Sequence, residues 1–282
     1  MNNQMNRTLT ILADGEPVTG YARAMVIGTE RMGLYPSLFM LHLWHVAEED
    51  YLALSRSREV TVIHEDVVLV SGTVSDVFRS RGKSGTEAHV AIAPGLKLWE
   101  ASVSLDVEAG VTVSETVRRL LEASGTGITL LSFPREDPVV SRGQAFFGRA
   151  AECIEEAIRR NPPQRNGGDD HSAPPEGVTG VIVPLFRCYL VPSGLCVIPA
   201  EGVPVSMVLT EEDLTDVPAF NCGGDMVLRT GPAGWTLGKG VEVRYGETVN
   251  RGVISERLLS LDTGDGAWRV ELIVQSGESL SE

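Results

Sequence analysis

The residues best suited to chemistry in this chain are few and poorly spaced for it. His42 and His45 stand three apart, a separation that suits two metal ligands on one helix face, but they fall in SLFMLHLWHV, which alternates as a strand. On a strand an odd separation sends the two rings to opposite faces, so core or edge histidines are the better reading. Asp169, Asp170 and His171 form a metal-like cluster, yet no further ligand stands at useful spacing. Ser141, Cys153 and Cys222 are nucleophiles by type only, because no histidine can be argued to pair with them. Gly231, Gly234, Gly238 and Gly240 read as turn glycines, since no βαβ unit surrounds them to make a phosphate cradle. The sequence carries no CxxC, HExxH, P-loop or GxSxG pattern. Its 38 acidic residues offer accidental carboxylate pairs of the glycosidase kind with nothing to select one. An aromatic content of 6% is low for a base- or sugar-stacking platform. The balance is non-enzymatic, with no catalytic residue, metal or cofactor to assign.

Stepping out to the elements that would position any site, the only convincing helical block is residues 112 to 160. It opens TVSETVRRLLEASGTG, where Thr112 and Glu115 have capping-box spacing. Val113, Val117, Leu120 and Leu121 recur on one face, and Gly125 stands where a left-handed residue would end the helix. A second helix is expected in SRGQAFFGRAAECIEEAIRRNPP. Ser141 and Gln144 repeat the capping spacing, and Phe147, Ala150, Ala151, Ile154 and Ile158 form its stripe. Pro162 and Pro163 forbid continuation. Residues 161–177, NPPQRNGGDDHSAPPEG, hold almost nothing apolar and read as a long exposed loop.

Two β-rich arms flank this block. Residues 7 to 107 read as about seven strands, with a turn at Asp14-Gly15 and a positive tip at Arg79, Arg81 and Lys83 that reads as a solvated hairpin end. In SLFMLHLWHV, Phe39, Leu41 and Leu43 alternate with Met40, His42 and Trp44, so both faces are apolar enough to be covered. EASVSLDV continues the strand pattern of this arm. Around Pro192-Ser193-Gly194 a tight hairpin is expected, and a three-residue loop would set Cys188 opposite Cys196. The chain ends in a meander, in which Val241, Val243, Trp268, Val270, Leu272 and Val274 alternate with charged residues. The fold class that follows is mainly β with an α+β middle: two antiparallel β-barrel-like modules flank a two-helix α/β segment. The corresponding division is residues 1–107, 108–205 and 206–282.

The net charge of −14 is a poor prior for tight nucleic-acid binding, which needs Lys and Arg against phosphate. The surplus is greatest in residues 206–282, where six basic residues meet thirteen acidic ones. Charged strand residues there, such as Glu242, Glu256 and Glu271, are expected to leave the core and cluster on one exposed side. No apolar run is long enough to span a membrane, the N-terminus lacks a signal-peptide pattern, and four cysteines do not make a disulfide framework, so a reduced cytosolic state is the default.

The order of parts carries more than any motif. The run VVLVSGTVSDVF, the helix TVSETVRRLLEASGTGITL, the segment RGQAFFGRAAECIEEA and the terminal GKGVEVRYGETVNRGVISERLLSLDTGDGAWRVELIV together resemble the bacteriophage baseplate or tail hub family. This is the late-control type shared with contractile injection systems, and the resemblance covers most of the chain. It implies a homotrimeric ring whose two barrels per subunit give a pseudo-sixfold collar between tail tube and spike. It further implies tube and tip, spike or tape-measure proteins as partners, DNA only in passing through a lumen, and no membrane insertion. The implied location is the virion tail, after synthesis in the host cytoplasm. The family has no catalytic residues to transfer. The alternative from another class is a cell-envelope carbohydrate-binding or -processing protein, with acidic residues and Trp235 or Trp268 in a barrel cleft. A lone oligonucleotide-binding barrel is opposed by the charge.

Overall fold

The computed structural model describes residues 7–82, 85–160, 186–200 and 202–276. The 161–177 loop, with Asp169, Asp170 and His171, and Lys83 of the basic tip lie outside the described residues. The first arm runs β1 (Thr10–Ala13), β2 (Glu16–Val18), β3 (Arg23–Arg31), β4 (Leu38–Trp44), α1 (Glu48–Arg56), β5 (Glu59–His64), β6 (Val67–Gly82) and β7 (Gly85–Ala93). The middle comprises α2 (Leu96–Glu100), β8 (Ser102–Val107), α3 (Val113–Ser124), β9 (Leu130–Ser132), β10 (Gln144–Arg149), α4 (Ala150–Arg160), β11 (Phe186–Val191) and β12 (Gly194–Pro199). The last arm holds β13 (Val205–Leu209), β14 (Ala219–Phe220), β15 (Met226–Thr230), β16 (Gly240–Tyr245), β17 (Thr248–Asp262) and β18 (Trp268–Ser276). The protein is mainly β, as its alternating pattern predicts.

The two arms share one 13-stranded sheet, because β17 of the last arm pairs antiparallel with β3 of the first, Ser260 opposite Ile27. Its inner face buries Phe39, Leu41 and Leu43 of β4 together with Val241, Val243, Leu259, Leu261 and Leu272 from the last arm. A second core lies in the middle, where Val117, Leu120 and Leu121 of α3 meet Ile154 and Ala157 of α4 over Val103 and Phe146. Helix α3 starts as its sequence predicts: the Thr112 hydroxyl accepts from the Glu115 amide at 3.3 Å. Gly125 ends it in the left-handed conformation, with φ 64°. The reciprocal half of the capping box is not made, since the Glu115 carboxylate takes Arg119 at 3.0 Å instead.

Four expectations are corrected. The second helix begins at Ala150, and Gln144–Arg149 form a strand paired with β8, so Ser141 and Gln144 lie too far upstream to cap that helix. Strand alternation puts Phe146 in the core and leaves Phe147 88% exposed, off the stripe assigned to it. SVSLDV accordingly belongs with β10 and the second core, because its inward Val103 and Val107 pack there. The β11–β12 turn has two residues, Val191 facing Gly194, so Cys196 lies opposite Tyr189 and Cys188 opposite Val197. Helices α1 and α2 escape periodicity because each offers only one fully buried residue, Leu54 and Leu98.

Candidate assembly surface

The outer face of the large sheet gathers the groups that could have been catalytic. His42 does not meet His45, which follows β4 with a left-handed φ of 55°. It lies across the ladder from His89 of β7, their Nδ1 atoms 2.7 Å apart. His89 Nε2 reaches the Ser80 hydroxyl at 3.0 Å, Phe78 stacks on the His89 ring, and Trp44 stacks beside His42. A bond between two ring nitrogens needs one donor and one acceptor, so only one of the facing atoms carries the proton. Burial, then the neighbouring His89, hold His42 below the ordinary histidine pKa, with Glu87 opposing them. His89 was missed because cross-strand partners 47 residues apart leave no local spacing. Among the described residues no three His, Cys, Asp or Glu side chains are grouped to hold a metal.

The remaining candidates are used for packing. Cys153 is buried on α4, where burial and then Glu156 and Glu152 push its thiol pKa up, the wrong direction for a nucleophile. Cys222 is exposed in the turn after β14, and Ser141 is exposed before β10. Gly238 has φ 74°, and a Cβ there would stand 2.2 Å from the Tyr189 ring. A Cβ on Gly240 would meet the Pro204 carbonyl oxygen at 2.3 Å, while Gly231 and Gly234 line open turns. Trp235 donates its indole N–H to the Gly231 carbonyl at 2.8 Å, and Trp268 is buried edge-on to His64. Trp268 offers no open sugar platform, whereas Trp235 is half-buried and lines a cleft with Glu30, Glu59, Lys97 and Tyr189.

Ion pairs clamp the β3–β17 joint between the arms. Arg23 holds Asp262, Glu30 holds Arg257 at 2.7 Å, and Arg31 holds Glu256 at 2.9 Å. Arg23's hydrogen bond is the main reason the Asp262 carboxyl sits below its ordinary pKa. Arg257 also donates to the carbonyls of Trp235 and Leu69, leaving only its Nε without a partner. The three acids expected to cluster on one exposed side are instead each paired. Glu256 and Glu271 share the outer face of β17 and β18, with Arg31 and Arg229 as partners. Glu242 lies on β16, 7% exposed, between Arg244 and Arg251. These guanidiniums hold its carboxyl pKa low and make its near-burial tolerable.

Beyond the Trp235 cleft, apolar surface and sheet edge are open. Ile27, Leu38 and Phe78 are about half exposed on the outer face, and Val217 and Phe220 are exposed around β14. Open sheet edges and contiguous apolar surface are features that suit contact with other protein surfaces.

No family model matches the chain, and no curated protein matches its sequence. Solved structures do match. A tail protein from Neisseria meningitidis MC58 superposes with a TM-score of 0.67 at 11% identity, covering 96% of each chain. The 43 kDa tail protein of prophage MuSo2 from Shewanella oneidensis gives 0.63 at 10% identity, over 96% of this chain and 97% of that one. An Escherichia coli component of the type VI secretion system, described as similar to T4 bacteriophage tail proteins, gives 0.61 at 10% identity over 95% and 77%. Over most of its length the chain has the fold of these tail and secretion-system proteins.

Proposed function

We propose that this protein is a structural subunit of a phage-tail or tail-like baseplate hub, a homotrimeric ring that joins the tail tube to the tip or spike. The observation that carries this reading is the match of two tail proteins over at least 96% of both chains. The chain works by shape, without catalysis. A ring subunit needs a stiff sheet and neighbour-binding edges, and these are the features left open here. Its charge of −14 disfavours adhesion of passing duplex DNA. Tube and tip, spike or tape-measure proteins are its partners, and the virion tail is its location. Among the described residues no helix is long and apolar enough to cross a membrane. Quantitative mass spectrometry of purified particles tests the assignment. Three copies per tail, lost together with the tip complex, are expected; hundreds of copies, or none, contradict it.

A further inference from the structure

His42 of β4 and His89 of β7 are directly opposed across the ladder, and the hydrogen bonds around them fix where each ring proton sits. The Glu87 carboxylate can only accept, so the Ser80 hydroxyl, 3.3 Å away, donates to it. The Ser80 oxygen then accepts from His89 Nε2 at 3.0 Å, and the same carboxylate lies 3.7 Å from that nitrogen. With Nε2 protonated, neutral His89 presents a bare lone pair at Nδ1. His42 Nδ1 lies 2.7 Å from it and carries the proton between them. His42 Nε2 has no hydrogen-bond partner among the described residues.

A histidine pair set out in this way can exchange its shared proton for a metal ion. Ligating imidazoles are neutral; one nitrogen gives its lone pair while the other donates to an oxygen that orients the ring. His89 is already in this state through Ser80 and Glu87. For His42 a tautomer shift suffices: the proton moves from Nδ1 to Nε2, and both Nδ1 atoms then hold lone pairs with no net proton lost. Two nitrogens bound to one cation at roughly 2.0–2.1 Å stand about 2.9–3.4 Å apart for bond angles between square and tetrahedral. The observed 2.7 Å has to open by only about 0.2–0.7 Å, a small turn of two side chains. Solvent reaches the pair, since the His89 side chain is 15% exposed. Phe78, stacked on His89, and Trp44, stacked beside His42, flank it with aromatic rings.

We propose that His42 and His89 bind one late first-row divalent cation, such as Zn²⁺, Ni²⁺ or Cu²⁺, through their Nδ1 atoms, with water at the remaining positions. Imidazole nitrogen selects this class over Mg²⁺ and Ca²⁺, which take oxygen ligands. Two protein ligands are fewer than a closed structural site uses, so the coordination sphere stays open to solvent. Ser80 is a positioning residue: it holds the His89 ring in the tautomer that ligates. The ion ties β4 to β7 on the outer face and stabilises the folded chain, because the unfolded chain does not hold the two rings together. The site lies within one chain and is complete without a second copy.

Copper titration tests the site on the full chain, stripped with EDTA and carrying Cys222→Ser to remove the exposed thiol. Cu²⁺ bound there should quench Trp44, whose ring centre lies 6.2 Å from that of His42. Electron paramagnetic resonance of the complex should show two coordinated nitrogens, and Zn²⁺ should raise the melting temperature. His42→Gln and His89→Gln, melting like the metal-free parent, should each raise the Cu²⁺ dissociation constant by about tenfold or more. Ser80→Ala removes only the orienting hydroxyl and should weaken binding about tenfold. Affinity should fall from Cu²⁺ to Zn²⁺ and vanish for Mg²⁺. A folded parent that binds no Cu²⁺, or whose complex shows no nitrogen coupling, overturns the site without the need of any variant. Binding that both glutamine variants leave unchanged overturns it too, because the metal then sits elsewhere.

Discussion

Replacing Glu30 by Gln would test how the two arms are held together. Glu30 lies on β3 and Arg257 on β17, strands 227 residues apart in sequence, and their side chains are only 15% and 10% exposed. The guanidinium keeps its bonds to the Trp235 and Leu69 carbonyls but loses the one charge that compensates it. Removing one partner of a buried pair costs about 3–5 kcal/mol, because the other charge stays desolvated. The partial exposure here places Glu30→Gln near ~3 kcal/mol, a melting-point drop of roughly 6–12 °C for a chain of this size. The double variant Glu30→Gln, Arg257→Met removes the stranded charge and should recover most of the loss, to within about 1 kcal/mol of the parent. Urea unfolding of the parent, both single variants and the double variant gives the coupling directly. If Glu30→Gln unfolds within 1 kcal/mol of the parent, the seam is held by strand pairing alone and the argument fails.

Other outcomes follow from single features. Leu120→Ala empties a fully buried position between α3 and α4 and should cost about 2–5 kcal/mol, read as a shifted melting curve. Gly238→Ala forces a Cβ into the Tyr189 ring at a left-handed φ; a destabilisation of about 2 kcal/mol is expected, and Tyr189→Ala should relieve the clash but not the backbone strain. His42 has a folded pKa below its ordinary value of 6.5, so the unfolded chain binds its proton first. Stability from this group is complete above pH 6.5 and is lost as pH falls from there through the folded value. His42→Gln should flatten that part of a stability–pH curve, and an unchanged slope would show that His42 does not carry it.

Local signals in the sequence are strong where one element contains its own evidence. The Val117–Leu120–Leu121 stripe lies within α3 and Thr112 and Gly125 flank it as caps, and the alternation of Val241, Val243, Val270 and Leu272 lies within the final meander; both stand as read. The segment before α4 misled because QAFFGR carries two adjacent phenylalanines, which fit a helix stripe or a strand equally well. Only pairing with β8 decides between them, and it selects Phe146. The β3–β17 joint is invisible for a related reason: Ile27 and Ser260 face each other from opposite ends of the chain. The His42–His89 pair needed the same long-range register. The candidate surface was half legible, in that β4 reads as apolar on both faces while only its inner face is fully buried.

The ring itself is the central claim, and the mass of the purified chain in solution tests it most directly. Sedimentation equilibrium across a wide range of protein concentration should return three times the 30.3 kDa subunit mass throughout. A particle of 30.3 kDa at every concentration, with the fold intact by circular dichroism, would contradict the account.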